Sequence, residues 1–284
     1  MSGIPSKWLV ETDWLRERLS SPGLVIVDGS WTMPGEPRKG EELYREAHIP
    51  GALFFDIDEI ADTSSPYPHM LPPPEKFASR MRKMGIGDGM KIVVYDHRGM
   101  FSAPRVWWTF RVMGHDDVAV LNGGLLKWRR EGRPLESGKP APRTERHFTC
   151  RRNAELVRDV DDVKAAIASG GQQILDARPK ARFEGREGEP RPVPRMGHMP
   201  GALNLPFGSL VKPDGTLKPA GELRAIFEAA GVAPGKRAIA SCGSGITACV
   251  LALALAELGN EWAAVYDGSW AEWSDVPSAP VVQD

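Results

Sequence analysis

Cysteine is scarce in this chain, whose 284 residues contain only Cys150, Cys242 and Cys249. An odd and sparse set does not form a disulfide framework, and it is typical of proteins that work in a reducing compartment. No Cys-x-x-Cys pair and no cluster of cysteine with histidine is present, so a structural zinc site is not expected. We therefore expect a cytoplasmic protein that needs neither a metal nor another cofactor.

An excess of one charge and long apolar runs are also missing. The 36 basic and 37 acidic residues nearly cancel, which gives no support for a nucleic-acid or membrane-surface partner. The first residues include Lys7 and Glu11 and lack a long apolar core, which argues against a secretory signal. The most apolar stretch, Cys249 to Leu258, is roughly half as long as a membrane-spanning helix. Length and composition favour a soluble protein of two domains.

The chain repeats itself at the scale of a domain. A strand-like run ending in Asp28 is followed 20 residues later by His48-Ile49-Pro50-Gly51, and one ending in Asp176 is followed 22 residues later by His198-Met199-Pro200-Gly201. Two further landmarks recur in the same order. The first is a strand-like run before a small-residue turn, at 91–96 and again at 237–242. The second is a six-residue step that ends in a tryptophan, from Asn122 to Trp128 and again from Asp267 to Trp273. The repetition indicates an internal duplication.

Each half alternates short β-branched runs with longer helical stretches, which predicts βα units and a mainly parallel sheet flanked by helices. The fold class is therefore α/β, with predicted domains at 1–136 and 156–284 and a linker at 137–155. The region 133–155 is rich in Pro, Arg and Ser and is expected to be exposed. The clearest strands and helices are predicted at 24–27, 92–95 and 118–121, and at 75–84, 159–168, 221–230 and 247–258. Gly231 and Gly259 stand where helix C-terminal caps are expected.

Cys242 follows the apolar run 238–240, at the strand end where ligands bind in open α/β sheets. Gly243 and Gly245 let the backbone curl, so that successive N–H groups can point at one centre. A helix starting near Thr247 adds the positive end of its dipole. A thiol in that cradle is expected to be a thiolate at neutral pH, and the cradle would equally hold a persulfide or another sulfur-bearing anion.

Two other interpretations of this loop are weaker. Free cysteines are often small buried core residues, but two glycines and a serine follow Cys242, whereas Cys249 lies inside an apolar helix and is expected to pack there. A cysteine phosphatase needs an arginine that clamps the phosphate, and in a Cys-x5-Arg pattern that position is Ala248. In the first half the position matching Cys242 is Asp96, which cannot accept sulfur. Only the second half is therefore expected to be chemically active, with the first half shaping the site.

These residues resemble the tandem rhodanese-type sulfurtransferases over nearly the whole chain. The segments that carry the resemblance, besides the loop after Cys242, are 48–52, 54–58, 68–72, 102–108, 189–191 and 266–270. Members that use thiosulfate carry a basic loop after the cysteine, whereas Gly243-Ser244-Gly245 is neutral and looks like the mercaptopyruvate-using type. The resemblance implies two rhodanese domains with the active site between them.

The resemblance also implies a reaction. Cys242 would take sulfur from 3-mercaptopyruvate, release pyruvate, and pass the sulfur from a persulfide to a thiol, to thioredoxin or to cyanide. The loop residues Gly243, Gly245, Ile246 and Thr247 would bind the substrate. Alternatives are a thiosulfate:cyanide sulfurtransferase of the same fold and a non-enzymatic rhodanese module that binds partners.

Two arginines suit a keto acid. Arg182 and Arg191, nine residues apart in a Gly- and Pro-rich loop, could converge on its carboxylate and carbonyl oxygens. The residues alone favour a different interpretation, in which they pair with Glu184, Glu187 or Glu189 as a solvated charge run. The resemblance favours the substrate role.

By the same resemblance, Asp58, His69 and Ser244 match a group that relays a proton during sulfur transfer. His48 and His198 recur in both halves, including the one without a catalytic cysteine, which indicates a structural role. Most of six tryptophans are expected in the core or an interface: Trp107, Trp108, Trp128, Trp262, Trp270 and Trp273.

Overall fold

The first half of the computed structural model, which describes residues 6–284, is an α/β unit. Its elements are β1 (Leu9–Val10), α1 (Thr12–Arg16), β2 (Leu24–Asp28), α2 (Gly40–Glu46), β3 (Leu53–Phe54), α3 (Ile57–Ile60), α4 (Pro74–Lys83), β4 (Lys91–Tyr95), α5 (Ala103–Val112), β5 (Val118–Leu121) and α6 (Gly124–Arg130). Helix α4 begins at a proline, which suits a first turn because its missing N–H would have no partner there.

The second half repeats this order after a short 3-10 helix, Ala154–Leu156. Its elements are β6 (Val157–Arg158), α7 (Val160–Ser169), β7 (Gln173–Asp176), α8 (Lys180–Phe183), β8 (Leu203–Asn204), a 3-10 helix (Phe207–Leu210), α9 (Ala220–Ala229), β9 (Ala238–Ser241), α10 (Ala248–Glu257), β10 (Ala264–Tyr266) and α11 (Ser269–Trp273). Gly231 and Gly259 follow α9 and α10 with φ of 79° and 92°, which confirms their predicted place at the helix ends.

The two sheets have the same topology, which confirms the duplication. Their strand orders are β1-β5-β4-β2-β3 and β6-β10-β9-β7-β8, and all pairs are parallel. Asp28 pairs with Tyr95 at the end of β2, as Asp176 pairs with Ser241 at the end of β7. The residues that follow β4 and β9, Asp96 and Cys242, therefore occupy equivalent places.

Helices α5 and α10 pack against each other and join the two halves into one continuous core. Every residue of α5 is buried, and α10 is buried from Ala248 to Ala256. A helix that is apolar on all faces requires such an environment. Burial of each large aliphatic side chain of α10 stabilises the fold by about 1.5–3 kcal/mol. The loops at the starts of these helices are thereby held close together.

The repeated histidines are structural, as predicted. His48 Nδ1 lies 2.8 Å from the Tyr44 carbonyl oxygen, and His198 Nδ1 lies 3.0 Å from that of Phe183. Each imidazole also stacks on the ring of that same residue, with centroids 4.1 and 3.8 Å apart. The same arrangement in both halves fixes the turns that lead into β3 and β8.

The segment 139–153 has no helix or strand and is mostly exposed, but it contacts the first half. Phe148 is buried among Phe77, Phe110 and His115 of the first half. Thr149 donates hydrogen bonds to Asp88. The segment therefore packs along the surface of the first half. The predicted limits of the two domains and of the linker stay a prediction.

One of the six tryptophans is exposed, which agrees with an expectation made for most of them. Trp262 is 61% exposed and lies in the turn between α10 and β10, where no element among residues 6–284 covers it. The other five predicted tryptophans are each fully buried. Among residues 6–284 no helix combines the length and the apolar character that crossing a membrane requires.

Candidate active site

Cys242 directly follows β9 and is only 2% exposed. Its Sγ accepts a hydrogen bond from the Gly245 N–H at 3.1 Å, as expected for a backbone that curls around the sulfur. Helix α11 fixes the loop from behind, because Trp270 N–H donates to the Cys242 carbonyl and Ala271 N–H to that of Gly243, both at 2.9 Å. The sulfur is thus held at the carboxyl end of the second sheet.

Gly245 is required by both its conformation and its surroundings. Its φ is +80°, and a Cβ there would lie 2.8 Å from Arg105 Nη1 and 2.8 Å from the Asp267 carbonyl oxygen. Gly245 shapes the loop from below and does not line the pocket described next, whereas Gly243, Ile246 and Thr247 do. Its carbonyl accepts the Cys249 S–H at 3.2 Å, and burial raises the pKa of Cys249. Cys249 is therefore a packed thiol, as expected.

The first half shows what this type of cradle binds. The Asp96 carboxylate accepts five backbone hydrogen bonds of 2.8–2.9 Å, from Arg98, Gly99, Phe101, Ser102 and Ala103. In the first half, which has no cysteine at this position, the two oxygens of the Asp96 carboxylate fill the cradle. In the second half, the N–H group given to Cys242 is that of Gly245, the counterpart of Gly99, and such a donor would stabilise a thiolate or a persulfide anion.

A cavity of about 230 Å³ lies between the two halves, and Cys242 is part of its wall. The second half contributes the loop after Cys242, and the first half contributes the apolar side chains of Trp31, Pro34 and Phe101. The pocket is therefore large enough for a small substrate and is built jointly. The predicted role of the first half in shaping the site agrees with this geometry.

Both predicted arginines line this pocket, but their partners differ. Arg182 Nη1 lies 3.6 Å from Glu189 Oε2, so one of the acidic partners expected for a charge run is present. Arg191 Nη2 lies 3.3 Å from His69 Nε2, and its guanidinium lies over the Trp31 ring at 5.6 Å. Burial lowers the pKa of Arg191, which still leaves it charged near neutral pH. Both guanidiniums are placed to meet an anion in the pocket.

Ser244, His69 and Asp58 form a chain of hydrogen bonds across the interface. His69 Nε2 lies 3.1 Å from Asp58 Oδ1, and Nδ1 lies 3.0 Å from Ser244 Oγ. Nδ1 also lies 3.2 Å from the Ser244 carbonyl oxygen. The Asp58 carboxylate can only accept and is the charged partner, so we assign the imidazole proton to Nε2, which leaves Nδ1 to accept the Ser244 hydroxyl proton. His69 itself has a φ of +64°, uncommon for a residue with a side chain. Strain of this kind is frequent at functional sites.

The charges around this chain favour a neutral imidazole beside an ionised carboxylate. Burial lowers the pKa of His69, and the neighbouring Arg191 and Arg105 lower it too, against the hydrogen bond with Asp58 that raises it. Partial burial raises the pKa of Asp58, but the hydrogen bonds from His69 and Trp31 and the positive charge of Arg191 bring it below its usual value. The imidazole is therefore available as a proton acceptor near neutral pH.

Arg105 was not among the predicted site residues. It lies on α5 and is 2% exposed, with Nη2 at 2.7 Å from Asp267 Oδ1 and Nη1 donating to the Gly245 carbonyl at 3.3 Å. It also donates to the His69 carbonyl. Burial lowers the pKa of Arg105, but the charge and hydrogen bond of Asp267 together with the nearby Cys249 and Cys242 outweigh this and raise the pKa. A buried guanidinium from the first half thus ties the sulfur loop to His69. Its place among apolar residues of α5, which also contains Arg111, was the available signal.

Within residues 6–284, no group of three or more His, Cys, Asp or Glu side chains is arranged to hold a metal ion. The three cysteines are free.

Comparison with known proteins places this arrangement in a family. The model of the Rhodanese-like domain matches residues 11–131 and again residues 159–276. The 3-mercaptopyruvate sulfurtransferase of Escherichia coli (strain K12) is 46% identical over 282 residues, which cover 98% of this chain and 100% of that protein. The thiosulfate sulfurtransferase of Cricetulus griseus is 43% identical over 274 residues, which cover 93% and 91%.

A solved structure agrees with the sequence comparison. The crystal structure of SseA from Escherichia coli, one of the 3-mercaptopyruvate sulfotransferases, superimposes with a TM-score of 0.86 at 44% identity and covers 93% of this chain and 99% of its own. The duplicated fold, the cysteine in its N–H cradle and these matches lead to one conclusion. The chain belongs to the rhodanese-like domain family, as a tandem two-domain member related to the sulfurtransferases over nearly its whole length.

Proposed function

We propose that this protein is a transferase that moves sulfur from 3-mercaptopyruvate through a persulfide on Cys242 to a thiol or cyanide acceptor. The observation that carries the proposal is the pocket itself, in which a cradled cysteine faces two guanidiniums, Arg182 and Arg191. A three-carbon keto acid has a carboxylate and a carbonyl for these groups and a sulfur for Cys242. The full-length relative from Escherichia coli that carries this enzyme's name supports the same donor.

In the first half-reaction, the Cys242 thiolate attacks the sulfur of 3-mercaptopyruvate. A sulfur–sulfur bond forms, the carbon–sulfur bond breaks, and its electron pair leaves on carbon as the enolate of pyruvate. Protonation of that carbon gives pyruvate, while the persulfide keeps the negative charge. Arg182 and Arg191 bind the carboxylate and stabilise the enolate oxygen, and the loop N–H groups of residues 243–247 stabilise the persulfide anion.

The Ser244–His69–Asp58 chain moves the proton in this step. The thiol proton of the substrate passes to the chain through Ser244 Oγ and His69 Nδ1 and returns to the enolate carbon. Asp58 holds the imidazole in the tautomer that can accept it and stabilises the charge that forms. In the second half-reaction, an acceptor thiolate attacks the outer sulfur, and Cys242 leaves as a thiolate.

The acceptor is a small thiol, cyanide or thioredoxin, without a nucleic-acid or membrane partner. A thiol acceptor fits a reducing compartment, and we place the protein in the cytoplasm. No bound cofactor takes part in these steps, because the cysteine itself carries the sulfur.

A thiosulfate:cyanide sulfurtransferase is the second candidate, because a relative of that name is 43% identical. Overall identity hardly separates the two donors. The loop after Cys242 separates the two donors better. Gly243-Ser244-Gly245 has no cation that could bind the dianion thiosulfate, so Arg182 and Arg191 must recognise the anionic donor. A non-enzymatic binding module is a weaker candidate, because the cysteine, the cradle and both arginines are all present.

Steady-state kinetics with both donors and cyanide as acceptor test the proposal. We expect a much higher kcat/KM with 3-mercaptopyruvate than with thiosulfate, and a preference for thiosulfate would overturn the choice of donor. Cys242→Ser should abolish transfer from either donor, and retained activity would remove the mechanism.

The two arginines are tested in the same assay. Arg182→Ala and Arg191→Ala should mainly impair use of 3-mercaptopyruvate. Arg186→Ala is the matched control, because Arg186 lies in the same loop, is exposed, and has a side chain whose one ion pair among the described residues is with Glu184. If both variants behave like the control, the arginines do not bind the substrate.

A further inference from the structure

The arginines that line the pocket around Cys242 are largely balanced by neighbouring carboxylates. Four guanidiniums line it, those of Arg98, Arg178, Arg182 and Arg191. Arg98 lies 2.5 Å from Glu36 Oε2, and Arg178 lies 2.7 Å from Asp176 Oδ2. Arg191 is held in the field of the Asp58 carboxylate. Arg98 and Arg178 therefore each have a carboxylate of their own. Arg191, by contrast, is influenced by the charge of Asp58, which is itself hydrogen-bonded to His69.

Glu189 is the fourth carboxylate, and it is the one that lines the pocket. Its Oε1 accepts from Arg178 at 2.8 Å, although Arg178 is already neutralised by Asp176. The surplus negative charge therefore falls on Arg182, which lies 3.6 Å from Glu189 Oε2. Four guanidiniums face four carboxylates, and the pocket is close to electrically neutral.

Glu189 also lies against the sulfur loop. A Cβ on Gly243, the residue after Cys242, would lie 3.3 Å from Glu189 Oε2. The side chain of Glu189 is only 6% exposed, and Arg178, 1% exposed, fixes its position. Negative charge on a substrate bound at Cys242 would therefore approach a carboxylate that can neither turn away nor be well screened by solvent.

We propose that Glu189 is a specificity-determining residue, whose charge makes this pocket select monoanionic sulfur donors over dianionic ones. The proposal rests on the proposed function and adds a physical origin for the donor preference. A keto acid thiol carries one negative charge, which Arg182 and Arg191 can bind beside the Glu189 carboxylate. Thiosulfate carries two, and the second meets a pocket with no positive charge to spare.

Replacing the carboxylate by an amide leaves one uncompensated positive charge beside the bound donor. The interaction of that charge with a dianion is twice its interaction with a monoanion. For charges about 5–6 Å apart at a site of intermediate dielectric constant, this should change the ratio of the two rates by about ten- to a hundredfold.

The experiment measures kcat/KM with three donors: 3-mercaptopyruvate, thiosulfate and methanethiosulfonate. The last two both transfer an outer sulfur from a sulfonyl group, releasing sulfite or methanesulfinate, and differ by one negative charge. Glu189→Gln should raise thiosulfate relative to both monoanions at least about tenfold. Glu189→Asp keeps the charge and should keep the wild-type ratios, and Glu187→Gln removes an exposed charge of the same loop as a control.

The outcomes separate this proposal from the function on which it rests. If the wild type itself prefers thiosulfate, the proposed function is wrong and the inference falls with it. If the wild type prefers 3-mercaptopyruvate but Glu189→Gln leaves both ratios within about twofold of the wild type, far below the expected shift, only the role of Glu189 is refuted. Glu189→Ala, which also removes the charge, serves as the second variant if the amide disturbs the fold.

Discussion

Removal of one buried carboxyl should stabilise the first half at neutral pH. Asp28 and Asp176 end equivalent strands, β2 and β7, and both are at most 1% exposed. Arg178 holds Asp176 through both carboxylate oxygens, whereas the uncharged Ser30 stands at the corresponding place after Asp28 and donates its backbone N–H. No ion pair among residues 6–284 involves Asp28. Burial raises the pKa of Asp28 from 3.8 to about 6, against smaller lowering effects of Ser30 and Tyr95.

This raised pKa sets the sign and size of the effect. The folded protein holds the proton of Asp28 more tightly than the unfolded chain does, so the stability that the protonated group contributes is present at low pH and is lost as pH rises through about 6. Between pH 5 and pH 8 the loss is about 1.4 kcal/mol for these two pKa values. The Asp28→Asn variant has no ionisable group at this position and therefore avoids this loss of stability.

The assay is urea unfolding of wild type and Asp28→Asn at pH 5 and pH 8, followed by tryptophan fluorescence. The difference in unfolding free energy between variant and wild type should move in favour of the variant by about 1.4 kcal/mol from the lower to the higher pH. A difference that does not change with pH, or changes in the opposite direction, would refute the reasoning. Asp176→Asn is the matched control and should destabilise at pH 8, because it takes from Arg178 its bidentate partner.

Further outcomes concern the relay and the loop. Ser244→Ala or His69→Gln should slow persulfide formation from 3-mercaptopyruvate by about 10²–10⁴-fold in stopped-flow measurements, while alkylation of Cys242 by iodoacetamide changes little; equal losses in both would argue against a relay. Because the pKa of His69 lies below 6.5, kcat/KM in the wild type should fall with decreasing pH only below that value, and a fall that begins above it would contradict a neutral imidazole. Gly245→Ala should lose activity and lower the Tm, because its Cβ would meet Arg105 and the Asp267 carbonyl; a fully active variant would show that the loop tolerates a different path.

The fold could largely be predicted from the sequence because the same order of elements occurs in both halves. Landmarks such as Asp28 and Asp176 mark strand ends in both halves, and the predicted helix at 247–258 is observed as Ala248–Glu257. Cys242 follows β9 as predicted, since a strand, a glycine turn and an apolar helix leave few other arrangements. The two-residue strands β1 and β6 were not predicted, because such short strands carry no periodicity.

The composite site was harder to predict for a physical reason. Ser244 and His69 are 175 residues apart and meet only because α5 and α10 pack together, and no local pattern encodes which helix faces cross the interface. The relay was therefore available only through the family resemblance. Arg105 was missed for the same reason, since its partners Gly245 and Asp267 lie in the other half. Which of the six tryptophans is exposed could not be predicted, because a single tryptophan in a turn, such as Trp262, has no periodicity that shows whether it is covered.

The central claim is that Cys242 carries the transferred sulfur. Its most direct test is the intact mass of the protein after incubation with 3-mercaptopyruvate without an acceptor, combined with peptide mapping and an assay of released pyruvate. We predict a gain of one sulfur atom on Cys242, an equal amount of pyruvate, and loss of that sulfur when cyanide is added. Pyruvate released without any gain in mass, or sulfur found on Cys150 or Cys249 instead, would contradict the account.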